Sequence, residues 1–528
     1  MKVGVRRSLA DIQADYDRGN KTELETLMRA WKGIKELDPE DPRSFFILGG
    51  YHGEPFRGPG ETDPTWWGGY CQHGTVLFPT WHRAYLHSLE KALQSIPGCE
   101  SVMLPFWDEC SEDSRSNGIP HALTDEFFEL DGVKIDNPLR SFKLPVSIVD
   151  NVKGDNALYS KPAGYETVRY PLSGLVGTPA DQAATAAHNA KFPDYAENVK
   201  ILNGNIVNWL TSTITIDGHV MGEVYSKFVA CLNAPNYTLF SNTTSQGAWN
   251  DAHPKKPVRS LESPHNSMHL AVGGFDVPGQ GDMSPIPGAN GDMGENDTAG
   301  LDPIFFFHHC FIDYTFWIWQ RRHGATTSFT IDSNDPGAVY GANNPPPAGG
   351  DPDAPITMET PLNPFKMREG GVYTSNDCID IESQLGYTYG PGSLDSYAHA
   401  AATPSDALLL TTLAEEERTL HVAGVDRSKI RGSFLITAYA EVDGERRLLG
   451  REAVLSRWHV EGCANCQTHL KSSADFRLPA EAAEQGNVEV EIRTRQGELG
   501  GGPRMLRKSG IAAAALAEAP EPFTMEIR

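Results

Sequence analysis

Three histidine-bearing segments, far apart in the chain, constrain this sequence more than any other feature. His265 and His269 stand four residues apart. On a helix, positions i and i+4 share a face, so both imidazoles can reach one metal ion. His73 and His82 flank the start of a predicted helix, and His52 lies upstream in Gly49-Gly-Tyr-His-Gly. His308 and His309 sit on the clearest helical segment of the chain, residues 302–323. Adjacent helical side chains point about 100° apart, so only one of this pair can face a shared site. Two triads follow: His52, His73 and His82, and then His265 and His269 with one of His308 or His309. Three neutral imidazoles with an open position suit copper or zinc. No Asp or Glu sits at ligand spacing, which disfavours a dizinc or di-iron hydrolase and favours copper.

The rest of the pattern says how such segments could be brought together. A length of 528 residues suggests two to four domains, or one large one with appendages. Apolar periodicity predicts helices over 22–37, with Thr22 or Asn20 as cap, and over 80–96, just after Pro79. Further helices are predicted over 196–213 and 258–272. The 302–323 helix has Asp302 as cap, Pro303 in its first turn and Gly324 past its end. Between them run long Gly/Pro-rich loops at 53–69, 273–300 and 341–366, and loops of that length in a compact domain are usually functional. Near residue 390 the character changes. A linker is expected over 393–405, and strand-like segments follow, two of them flanking Asp443-Gly444, a hairpin signal. The expected organisation is a mainly α domain over 1–392 and a β-sandwich-like domain over 406–528.

The formal charge of −24 argues against nucleic-acid binding and against anionic membranes. No stretch approaches 18 consecutive apolar residues, so no transmembrane helix is expected. The N-terminal segment has no apolar run after its basic residues, so it does not read as a secretory signal. Eight scattered cysteines fit a reducing, cytoplasmic compartment.

The segment from His73 to Glu90, with Phe78, Trp81-His82-Arg83 and Glu90, resembles the copper-A signature of type 3 copper proteins. Asp302-Pro-Ile-Phe-Phe-Phe-His-His-Cys-Phe-Ile-Asp313 resembles their copper-B signature. That family comprises tyrosinases, catechol oxidases and molluscan-type haemocyanins. The resemblance implies a four-helix bundle holding two copper ions, with O₂ as co-substrate. It implies copper A on His52, His73 and His82, and copper B on His265, His269 and His309. It also implies a thioether from Cys71 to the ring of His73.

Tyr387-Thr-Tyr389 resembles the Tyr-x-Tyr motif that closes the family's catalytic domain, with Arg6 or Arg7 as its expected partner. The β region resembles the shielding domain of long-form pro-tyrosinases. Its Cys463-Ala-Asn-Cys466 is like the pair those forms use in copper loading, although a disulfide or a zinc half-site would read the same. Leu455 and Trp458 are the candidates for a plug over the substrate pocket.

Glu262 and Asn266 match positions that hold a water proposed to deprotonate monophenols, while Glu262 could equally be a helix-start carboxylate. Leu270 is expected near the entrance, and Phe305 against the copper-B ligands. The resemblance implies a tyrosinase acting on small phenols, with a catechol or o-aminophenol oxidase as the alternative and an O₂ carrier as the non-enzyme rival. A homo-oligomer is plausible, and nothing in the sequence counts subunits.

Overall fold

In the computed structural model the described residues are 3–53, 69–149, 160–174, 179–211, 213–216, 219–274, 288–340, 355–367 and 369–399. From the C-terminal region they are 418–430, 432–442, 444–457, 460, 466, 470–478, 482–483, 488–494, 505–509 and 523–528. Most of the long loops named above, much of the linker, Asp443, Trp458 and Cys463 lie outside the described residues.

Five helices set the frame: α1 (Thr22–Glu36), α2 (Phe78–Gln94), α3 (Tyr195–Thr211), α4 (Glu262–Gly273) and α5 (Ile304–His323). Helix α5 is buried from Ile304 to Gln320. A helix apolar all round belongs in the middle of a core, not on a surface. It packs on α2, and α4 packs on α3 and against α5, which makes the bundle. Asp302 anchors the start of α5. Its carboxylate takes both Arg169 Nε (2.8 Å) and Nη2 (2.7 Å), and Oδ1 also accepts from Ile304 N at 3.2 Å. Arg321, Arg322 and His323 fill the last turn, and Gly324 stops the helix at φ +64°.

Helix boundaries differ from the pattern reading by up to four residues: α2 begins at Phe78, ahead of Pro79, and Pro303, not Asp302, immediately precedes α5. Residue 21, not Thr22 or Asn20, precedes α1, and it makes no side-chain cap. Helix α4 begins at Glu262, four residues later than expected. Val258 N is held by Asn250 Oδ1 and Ser260 N by Gln246 Oε1, so those amides are spent outside the helix. Pro264 then falls in the first turn, where its missing N–H costs nothing.

The C-terminal region is two antiparallel sheets. Strands β3 (Arg418–Asp426) and β4 (Phe434–Val442) are followed by β5 (Glu445–Val454), β6 (Lys471–Leu478), β7 (Val488–Thr494), β8 (Met505–Ser509) and β9 (Thr524–Ile527). The orders are β5-β4-β7-β8 and β6-β3-β9. The expected hairpin is β4–β5, closing at Val442 opposite Glu445, with Gly444 at φ +78°. Strand β5 lies against α4.

The chain's start is tied to its middle by β1 (Gly4–Arg6), which pairs in parallel with β2 (Tyr387–Tyr389). No described helix is long and apolar enough to cross a membrane.

Candidate metal centre

Each histidine of interest is placed by a different piece of backbone. His82 is the fifth residue of α2, and its Nδ1 is bonded to Phe78 O, one turn back, at 2.8 Å. His265 and His269 lie on one face of α4, and His309 projects from α5. His52 follows a short helix, Phe45–Gly50, and His73 lies on the loop entering α2. Close approach fixes His52: a Cβ on Gly300 would stand 2.5 Å from Gly49 O and 2.9 Å from His52 Cβ.

The second ring nitrogen of most of these histidines is held so that the first points inward. His52 Nδ1 is bonded to Asn296 O (3.2 Å), His265 Nδ1 to Asn266 Oδ1 (2.9 Å) and His269 Nδ1 to Met293 O (2.8 Å). Such partners set ring tautomer and aim. The Nε2 atoms of His52, His73 and His82 are buried and have no hydrogen-bond partner. His309 Nε2 lies 3.2 Å from His265 Nε2 and 3.3 Å from His269 Nε2. Buried ring nitrogens without a hydrogen-bond partner on three neighbouring rings of the first triad, and closely approaching Nε2 atoms in the second, fit a cation at each. The two triads face one another, with the His82 and His309 rings stacked at 4.4 Å. Phe305 packs on both sides, 4.1 Å from His309 and 4.7 Å from His52.

Burial, with repulsion from neighbouring imidazoles, holds His52, His73, His265, His269 and His309 far below the usual histidine range. Burial pushes His82 down to about 3. All six are therefore neutral near pH 7, the state in which imidazole binds a metal. His308 also sits among the second triad, but its Nδ1 is bonded to the buried carboxyl of Glu109 at 2.5 Å.

Glu262 and Asn266 are both buried beside this centre. Glu262 Oε1 accepts from Gly74 N (2.9 Å), next to His73, and Oε2 accepts from Thr243 N (2.9 Å) and Oγ1 (3.0 Å). Burial raises its carboxyl above the usual range against these bonds. With His73, both residues line a cavity of about 340 Å³ whose opposite wall includes Arg427, Val454 and Leu455. Leu270, expected near the entrance, is buried and does not line that cavity.

Cys71 is buried and not in a disulfide, and its sulfur lies within 4.8 Å of ring nitrogens of His52 and His73. Cys466 is disulfide-bonded, so in this state its sulfur is not the thiolate that soft copper ligation needs.

Arg6, not Arg7, meets the Tyr-x-Tyr motif. Its guanidinium stacks 3.6 Å from the Tyr387 ring and reaches Tyr389 OH at 3.3 Å. Arg7 pairs instead with Asp15 and Glu23 nearer the surface.

Several contributors escaped the sequence reading. The carbonyls of Met293 and Asn296 carry no residue-type signal. Glu109 stands outside any histidine spacing. The roles of Arg427 and Arg457 depend on how the C-terminal region docks.

A helical bundle that brings two buried imidazole triads face to face defines a binuclear copper protein. A family model for the common central domain of tyrosinase matches residues 42–322. A tyrosinase from Hahella sp. (strain CCB-MM4) is 53% identical over 505 residues, covering 92% of this chain and 90% of that one. A tyrosinase from Aspergillus oryzae is 41% identical, covering 92% and 91%. Among solved structures, tyrosinase from Burkholderia thailandensis at low pH superposes with a TM-score of 0.81 at 51% identity, covering 93% of this chain and 94% of that one. The chain belongs to the tyrosinase family. It is a copper-dependent phenol-oxidising enzyme, and the two histidine clusters match the binuclear copper of that family.

Proposed function

We propose that this enzyme hydroxylates monophenols to catechols, oxidises catechols to o-quinones, and is masked by its C-terminal domain until that domain is displaced. The single observation behind the reading is the cavity bounded on one side by His73, Glu262 and Asn266 and on the other by Arg427, Val454 and Leu455. His52, His73 and His82, and His265, His269 and His309, would each hold one copper ion, and the pair would supply O₂ binding and activation.

The chain's own residues have the other tasks. An unperturbed phenol has a pKa near 10, so hydroxylation needs a proton acceptor on the way in. Glu262, raised by burial, takes that proton through a water held with Asn266. Phe305 and the packed helices exclude bulk water from the rings. Leu455 lines that cavity and is the candidate for the plug among the described residues.

Oxygen uptake by the copper-loaded chain on a simple monophenol, with no catechol primer, tests this before and after removal of residues 400–528. Uptake that rises on removal supports hydroxylation and masking together. Uptake only on a catechol, in both forms, identifies a catechol oxidase and removes Glu262 and Asn266 from the chemistry. Glu262→Gln is expected to slow monophenol turnover about 100-fold and catechol turnover far less, read as separate initial rates.

A further inference from the structure

One loop, Asp292–Thr298, orients a histidine of each triad. Met293 O is the partner of His269 Nδ1, and Asn296 O the partner of His52 Nδ1. The C-terminal domain grips this loop from outside at two points. Ser433 Oγ donates to Gly294 O at 2.9 Å. Arg457 Nη1 meets Asp297 Oδ1 at 3.1 Å, while its Nη2 donates to His52 O at 3.0 Å and to Cys71 Sγ at 3.1 Å. Arg457 and Asp297 are both 1% exposed. A buried ion pair is favourable only when its remaining donors also find partners. Here Nη2 finds two, the backbone of one candidate ligand and the sulfur two residues before another. Arg457 is held in turn: Ser456 N donates to Ser433 Oγ (3.1 Å), and Arg427 Nη2 donates to Leu455 O (3.1 Å).

We infer that Arg457 is a positioning residue for the imidazole centre: through it the C-terminal domain braces the Asp292–Thr298 loop and His52. The cover and the brace are then one contact, and displacing the domain loosens the ligands it exposes. The inference rests on the reading that this domain masks the site.

The test uses the full chain as parent, Arg457→Leu, Arg457→Lys and Glu452→Gln, the last removing one separate contact of the seam while the chain stays docked at neutral pH and Arg457 stays in place. Two rates are read: amide hydrogen exchange of residues 292–298 in the copper-free chain, and withdrawal of copper from the loaded chain by the Cu(I) chelator bicinchoninate. Arg457→Leu is expected to speed both about tenfold, the loss of charge-assisted buried bonds. Arg457→Lys should fall between, because an ammonium cannot hold the guanidinium's three partners at once. Glu452→Gln should leave both near the parent.

Parent-like rates in Arg457→Leu overturn the inference, and so does a Glu452→Gln chain as fast as Arg457→Leu. Should Arg457→Leu fail to fold, parent-like rates in Arg457→Lys overturn it. Failure of the masking reading shows separately, as full phenol turnover by the uncut parent.

Discussion

Asn266 illustrates how much of the centre rests on single acceptors. Its Oδ1 is the partner of His265 Nδ1, and no other described acceptor is bonded to that nitrogen. Asn266→Leu keeps the size and removes the acceptor, so the ring can turn. Copper affinity at that triad is expected to fall about 10–100-fold, measured by competition with a chelator of known strength. The histidines themselves were legible because ligand chemistry restricts residue type and helical geometry restricts spacing. Their supports were not. His52 and His269 lean on carbonyls, which every residue possesses, so no sequence letter marks Asn296 or Met293 for that task. Glu262 was legible as a residue, but its bonds to Gly74 and Thr243 are long-range and appear only in the folded chain.

At the scale of elements, α2 and α5 are joined by buried charge as well as apolar packing. Asp313 on α5 receives Arg83 Nε from α2 at 2.6 Å, Arg6 Nη1 at 3.3 Å, and the hydroxyls of Tyr387 and Tyr389 at 2.5 and 2.6 Å. Burial pushes the Asp313 carboxyl up, but Arg83 and Arg6 outweigh it and hold the group below its usual range. Glu90 completes the cluster through Arg6 Nε at 2.9 Å. Removing one partner strands buried charge, so Asp313→Leu is expected to cost about 3–5 kcal/mol, read from denaturant unfolding of the copper-free chain. The five helices were readable from period and punctuation. The start of α4 was not, because its boundary is set by Asn250 and Gln246, side chains from another helix that capture the amides before it. The β4–β5 hairpin was readable because Asp-Gly needs only local backbone chemistry.

For the whole molecule, the seam between the domains is lined with carboxylates. Glu452 on β5 is met by Lys227 (3.2 Å) and Arg259 (3.0 Å) and accepts from Ser263 Oγ (2.6 Å), all from the helical domain. Burial opposes its ionisation, but Lys227 and Arg259 prevail and hold the carboxyl below the usual range. Asp475 is also held low against burial, first by His421 of its own sheet and then by Asn250 across the seam. A carboxyl depressed in the docked state stabilises docking fully above its undocked pKa, about 4. That contribution falls away as pH drops toward the docked value. Release of the C-terminal domain is therefore expected below about pH 4, seen as phenol turnover after a brief acid pulse. Glu452→Gln, with the charge already gone, should need a smaller pulse. The pairing of β1 with β2 carries a consequence for synthesis. Strand β1 has no partner until Tyr387–Tyr389 emerge, so the helical domain closes its ring only after all the residues between them are made. The β-rich segments that follow are made later still, so they meet a ring already closed.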